Sequence, residues 1–95
     1  MDNYFWVTTR TFKPGPREHF EHAWRPAELG LVGAYVLYAD DGDEVVGISI
    51  WDSAEACHRY RDSDVEARRQ ALMDPFVLEE RSRFYTGREL GVPGR

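Results

Sequence analysis

One cysteine, Cys57, is all the chain contains, so no disulfide can close within it, as fits a reducing compartment. No apolar run approaches the roughly 18 residues a membrane-spanning helix needs, and no basic-plus-apolar leader opens the chain. Together these features predict a soluble, cytoplasmic protein. Basic charge is also short, with 12 Lys and Arg against 17 Asp and Glu and a formal charge of −5. Its one concentration, Arg59, Arg61, Arg68 and Arg69, is interleaved with Asp62, Asp64 and Glu66 and reads as a solvated helix face. Nucleic acid is therefore not expected as a partner, and neither is a membrane. Glycine-rich phosphate loops and Ser-His-Asp arrangements are missing too; Gly87, Gly91 and Gly94 read as turn and tail residues.

What the chain has in excess is aromatic residues: 5 Phe, 5 Tyr and 3 Trp in 95 residues. One small core usually needs fewer, so the excess points to a lined cavity or a buried subunit interface. The length predicts a single domain, 1–95, with its core over about 4–90 and a tail over 91–95.

Residues 4–12, YFWVTTRTF, are β-branched and aromatic without a helical period, and predict a strand that is apolar on both faces. Pro14-Gly15 marks a turn, and Pro16 suits the first position of a helix. In that helix Phe20, Ala23 and Trp24 make one stripe, and Pro26 ends it near Arg25. Residues 34–39 and 44–51 predict a hairpin around Asp40-Asp41-Gly42-Asp43, again apolar on both parities. Asp52 with Glu55, and Ser63 with Glu66, form two capping-box patterns, so two short helices, 53–61 and 64–73, are expected in series. Asp74-Pro75 closes the second, and residues 81–90 predict the last strand. The order β-α-β-β-α-β is an α+β, ferredoxin-like sandwich: a four-stranded antiparallel sheet with helices on one face. The other face, apolar as well, calls for an identical subunit packed sheet to sheet, and so for a homodimer.

KPGPREHFEHAW (13–24), GAYVLY (33–38) and VVGISIWDSAEA (45–56) together resemble the antibiotic biosynthesis monooxygenase-like domains of the dimeric α+β barrel superfamily. The resemblance covers about residues 4–90 and implies a dimeric α+β barrel. It also implies that the second helix breaks over a pocket between helices and sheet, with Trp51 at the pocket end of its strand. Such domains include cofactor-independent quinone-forming monooxygenases, haem-degrading monooxygenases, isomerases and cyclases. The Asn, Trp and axial His of the haem-degrading members fall on Thr8, Tyr60 and Gln70. Gln70 is no strong ligand for haem iron, so haem degradation is not expected. Quinone-forming members tend to carry Asn four residues before the tryptophan, where an amide would stabilise a substrate oxyanion; here that position is Gly47.

There remains an aromatic set, Trp6, Trp24, Tyr35, Tyr38, Trp51, Tyr60 and Tyr85, with Thr8, Arg10, His22 and Arg83 as its polar companions. The expected substrate pocket is Trp6, Thr8, Trp24, Tyr35, Trp51, Tyr60 and Gln70, with His22, Arg10 and Tyr60 as candidate catalytic groups. Such walls suit a flat phenolic or polyketide-like ligand, with a His or Arg to stabilise a phenolate. His19 and His22 are spaced to share a metal but lack a third ligand, so neither metal nor cofactor is called for. Cys57 follows Ala54 at helical spacing and reads as a buried small hydrophobe rather than a nucleophile. The expectation is a small cofactor-independent monooxygenase, or a related isomerase, acting on an aromatic molecule. The alternative is a non-catalytic ligand-binding or stress-type dimer that kept the fold and lost the chemistry.

Overall fold

The computed structural model describes residues 2–13, 29–91 and 93. The helix expected before Pro26, with His19, His22 and Trp24, lies outside the described residues. Four strands, β1 (Asn3–Phe12), β2 (Leu31–Tyr38), β3 (Glu44–Trp51) and β4 (Val77–Gly87), form one sheet. Their order is β2-β3-β1-β4 and every pairing is antiparallel. Helices α1 (Ala54–Arg61) and α2 (Asp64–Met73) follow β3, and a 3-10 turn over Asp74–Phe76 leads into β4. This is the α+β, ferredoxin-like fold, with β1 and β3 at the centre of the sheet. Among the described residues no helix is long and apolar enough to cross a membrane.

Alternation along the strands separates two faces. On β1, Thr8, Arg10 and Phe12 are buried, and Tyr4 and Trp6 pack against a core of Trp51, Ala56, Cys57 and Tyr60. That face is covered by α1 and α2. Phe5, Val7 and Thr9 point the other way and pair with Ile50, Ile48 and Val46 of β3. β2 adds Tyr35 opposite Ile48 and Leu37 opposite Val46, and β4 adds Tyr85 opposite Phe5. An apolar sheet face is therefore left open, as the two-faced strands require.

Three boundaries differ from expectation. β2 starts at Leu31 because Gly30, at φ 89°, turns the chain into the sheet and its carbonyl accepts from the Asp52 N–H at 2.9 Å. β4 starts at Val77 and stops at Gly87, since Glu79 and Glu80 pair with Thr11 and Arg10, a charged stretch that masks the strand period. The N-cap of α1 is Ser53 rather than Asp52: Asp52 is the bend just past the end of β3, and the Ser53 hydroxyl accepts from the Ala56 N–H at 3.1 Å.

The helix break falls at Asp62-Ser63. Ser63 Oγ donates to the Tyr60 carbonyl at 2.6 Å and accepts from the Glu66 N–H at 3.2 Å, so one hydroxyl ends α1 and starts α2. In an unbroken helix, Tyr60 and Glu66 would lie roughly 120° apart around the axis. The break brings both to the sheet side, where they are 7% and 6% exposed.

Candidate functional site

β1 sets Trp6, Thr8 and Arg10 in a row on the helix-covered face, two residues apart. The directly paired residues of β4 are Phe84, Ser82 and Glu80. Thr8 and Ser82 share a hydrogen bond of 2.9 Å between hydroxyls, and Arg10 Nε donates to Glu80 Oε1. Arg10 Nη2 reaches Gln70 Oε1 at 3.4 Å, and Gln70 Nε2 donates to Asp74 at 2.9 Å and Glu80 at 3.0 Å. Burial pulls the Arg10 pKa below the usual arginine value, with the Glu80 carboxylate opposing that shift. Gln70, at the position where the haem-degrading resemblance would place an axial ligand, has both ends of its amide engaged.

α2 adds a second charge pair. Arg69 donates to both oxygens of Glu66, at 2.8 and 2.7 Å; Glu66 is buried and the Arg69 side chain is largely so. Burial pulls the Arg69 pKa down, but the Glu66 carboxylate outweighs it and the net shift is upward. Next to this pair is Tyr60, wedged between the rings of Trp51 at 5.3 Å and Trp6 at 6.4 Å. Burial first, and the Glu66 charge second, push the Tyr60 phenol up to about 12. Its hydroxyl lies close enough to Glu66 and Arg69 for both to act on its pKa, but it makes no hydrogen bond of ordinary geometry to either. Tyr60 OH and Trp6 Nε1 are buried atoms with no hydrogen-bond partner among the described residues.

Trp51 is 1% exposed and its Nε1 donates to Ser49 Oγ at 2.8 Å, so it backs Tyr60 and offers no free polar atom. Cys57 is fully buried, and burial pushes its thiol up to about 11, which makes it a poor nucleophile. At the strand end, the Tyr4 hydroxyl and His58 Nε2 share a 3.1 Å hydrogen bond, and the Arg61 guanidinium covers the Trp6 and Phe84 rings at 5.4 and 4.8 Å.

The fold thus gathers Trp6, Thr8, Arg10, Trp51, Tyr60 and Gln70 between sheet and helices. It does not bring Tyr35 to them: Tyr35 stands on the opposite, open face and is 63% exposed. Tyr85 and Arg83 are on that open face as well, with the guanidinium over the phenol ring at 5.8 Å. Strand alternation tells which residues share a face, but not which face the helices cover. His22 and Trp24 lie outside the described residues. Sequence reasoning missed Glu66 and Arg69, which it placed on a solvated face. The available signal was spacing: Glu66, Arg69, Gln70 and Met73 fall at i, i+3, i+4 and i+7, one helix face on which three polar residues stand with a buried methionine. Among the described residues no group of three His, Cys, Asp or Glu is arranged to hold a metal ion.

The sheet order, the broken helix and the buried groups between them define an antibiotic biosynthesis monooxygenase-like fold, and solved structures match it. A candidate antibiotic biosynthesis monooxygenase from Nitrosomonas europaea superposes with a TM-score of 0.77 at 17% identity, over 90% of this chain and 89% of that one. One from Chloroflexus aurantiacus J-10-fl gives 0.74 at 17% identity, over 97% of both chains. SnoaB, a cofactor-independent oxygenase from Streptomyces nogalater, gives 0.71 at 19% identity over 100% of both. At such identities the likeness is one of fold. No protein-family model matches the chain, and no curated protein does.

Proposed function

We propose that the chain acts without a bound cofactor on a flat aromatic or polyketide-like molecule held between β1 and the α1–α2 pair. The reaction is a monooxygenation that forms a quinone, or a related isomerisation. One observation carries the reading: the buried donors Trp6 Nε1 and Tyr60 OH have no described partner and lie among aromatic rings beside the largely buried Glu66–Arg69 pair. Leaving such a group unpaired costs about 1–3 kcal/mol, a cost a bound ligand would remove. The likeness in fold to a cofactor-independent oxygenase supports the same reading.

Arg10 supplies the electrostatics. A Cβ at Gly47 would lie 3.8 Å from Arg10 Nη1, so the cation borders the place from which an amide would extend in the quinone-forming resemblance. A fixed cation there serves the same end, stabilising the oxyanion that forms as the substrate loses a proton. The substrate anion gives an electron to dioxygen and a carbon–oxygen bond forms. Loss of water then leaves the carbonyl, so that a ring CH2 and O2 become C=O and H2O.

The open sheet face makes a homodimer part of the proposal, since Tyr35, Leu37 and Tyr85 are exposed there beside Phe5, Val7, Ile48 and Ile50. A non-catalytic binding dimer is favoured by one feature: Arg10 is already tied to Glu80 and Gln70, which neutralise part of its charge. Incubation with a series of anthrones in metal-free buffer separates the two. Quinone formation with matching oxygen uptake supports the oxygenase, and saturable binding without oxygen uptake supports the binding module. If nothing binds, both fall.

A further inference from the structure

We propose that Trp6 Nε1 and Tyr60 OH form a two-donor subsite that selects ligands by an acceptor oxygen, a ring carbonyl or an oxyanion, over flat molecules of the same shape that lack one. The proposal rests on the aromatic-ligand reading above and adds the chemical group by which the ligand is held.

An indole nitrogen can only donate. A phenol can donate or accept, and which it does here is decided by its neighbours. The nearby acceptor is the Glu66 carboxylate, whose two oxygens are held in place by Arg69, at 2.7 and 2.8 Å. Held in that geometry, the carboxylate makes no hydrogen bond to the Tyr60 hydroxyl, which has no partner among the described residues. Burial and the Glu66 charge keep its proton in place well past neutral pH. The Tyr60 ring packs against both Trp51 and Trp6 and is buried, which holds its hydroxyl away from water. Two buried N–H and O–H groups on adjacent rings, tilted by 59°, are therefore left for a group that can accept.

The test is a titration of the full chain with anthraquinone-2-sulfonate and with anthracene-2-sulfonate, two soluble molecules of similar outline that differ by the ring carbonyls. The wild type is expected to bind the quinone at least tenfold more tightly. Tyr60→Phe, which removes one hydroxyl and keeps the ring, should cut that preference roughly tenfold, the value of one ligand hydrogen bond. Trp6→Phe should cut it similarly. A second measurement guards against a merely structural role. Removing an unpaired buried donor should leave the melting temperature of the ligand-free Tyr60→Phe protein unchanged or raised. Equal affinity for the two probes in the wild type overturns the subsite while leaving the aromatic pocket standing. So does a preference that survives Tyr60→Phe, or a ligand-free Tyr60→Phe protein that melts well below wild type. Absence of binding by either probe overturns the subsite together with the pocket reading.

Discussion

Arg69 grips both carboxylate oxygens of Glu66 from three positions further along α2, out of water and beside an unpaired phenol. Buried ion pairs contribute little net stability, because desolvation offsets most of the attraction, whereas breaking one strands a charge. Arg69→Met alone should therefore destabilise by on the order of 3–5 kcal/mol. Glu66→Leu combined with Arg69→Met should recover most of that loss. Urea unfolding of the two single variants and the double variant measures the coupling. Additive losses would mean that the two side chains act independently.

Alkaline pH should weaken the fold in a defined window. Tyr60 is raised from 10.0 to about 12 and Cys57 from 9.0 to about 11, so the folded protein holds both protons harder than the unfolded chain does. Their contribution is complete below about pH 9 and is lost as pH rises through 12. The Tyr60 share is on the order of 2 kcal/mol between the two pKa values. Denaturation midpoints taken at intervals from pH 8 upward should fall less steeply for Tyr60→Phe than for wild type. Superimposable curves would place the phenol in contact with water.

Gly30 is fixed by two constraints at once. Its φ is 89°, and a Cβ there would come within 2.6 Å of the Ala56 side chain. Gly42 also has positive φ, 132°, but a Cβ would meet nothing within 4 Å. Gly42→Ala should thus cost only backbone strain, roughly 1–3 kcal/mol, and Gly30→Ala clearly more. Thermal melting ranks the two, and equal losses would mean that the strand–helix junction yields easily to the added methyl.

The open sheet face makes the assembly testable with one substitution. Ile48 sits in its middle, paired with Val7 on one side and Tyr35 on the other. Sedimentation at micromolar concentration should give twice the 11.0 kDa chain mass for wild type and the chain mass itself for Ile48→Glu. A wild type that sediments as a single chain removes the dimer from the proposal.

Local chemistry alone wrote much of this protein. Asp-Gly at 41–42 made the hairpin, Ser63 with Glu66 placed the second helix start, and apolar residues on both strand parities foretold a sheet with two apolar faces. These are rules between residues a few positions apart, and they leave their mark in spacing. Tyr35, Glu66 and the start of β4 obey no such rule. Tyr35 alternates correctly, but the face it shares with Val7 and Ile48 is open only because α1 and α2 cross the other one. Glu66 and Arg69 look like solvated charges until the break at Ser63 turns them toward the sheet, where each can satisfy the other. Glu79 and Glu80 look like loop residues until β1 offers Thr11 and Arg10 as partners. In each case, the deciding neighbour is distant in sequence, so burial and charge compensation came from the tertiary structure and not from the local pattern.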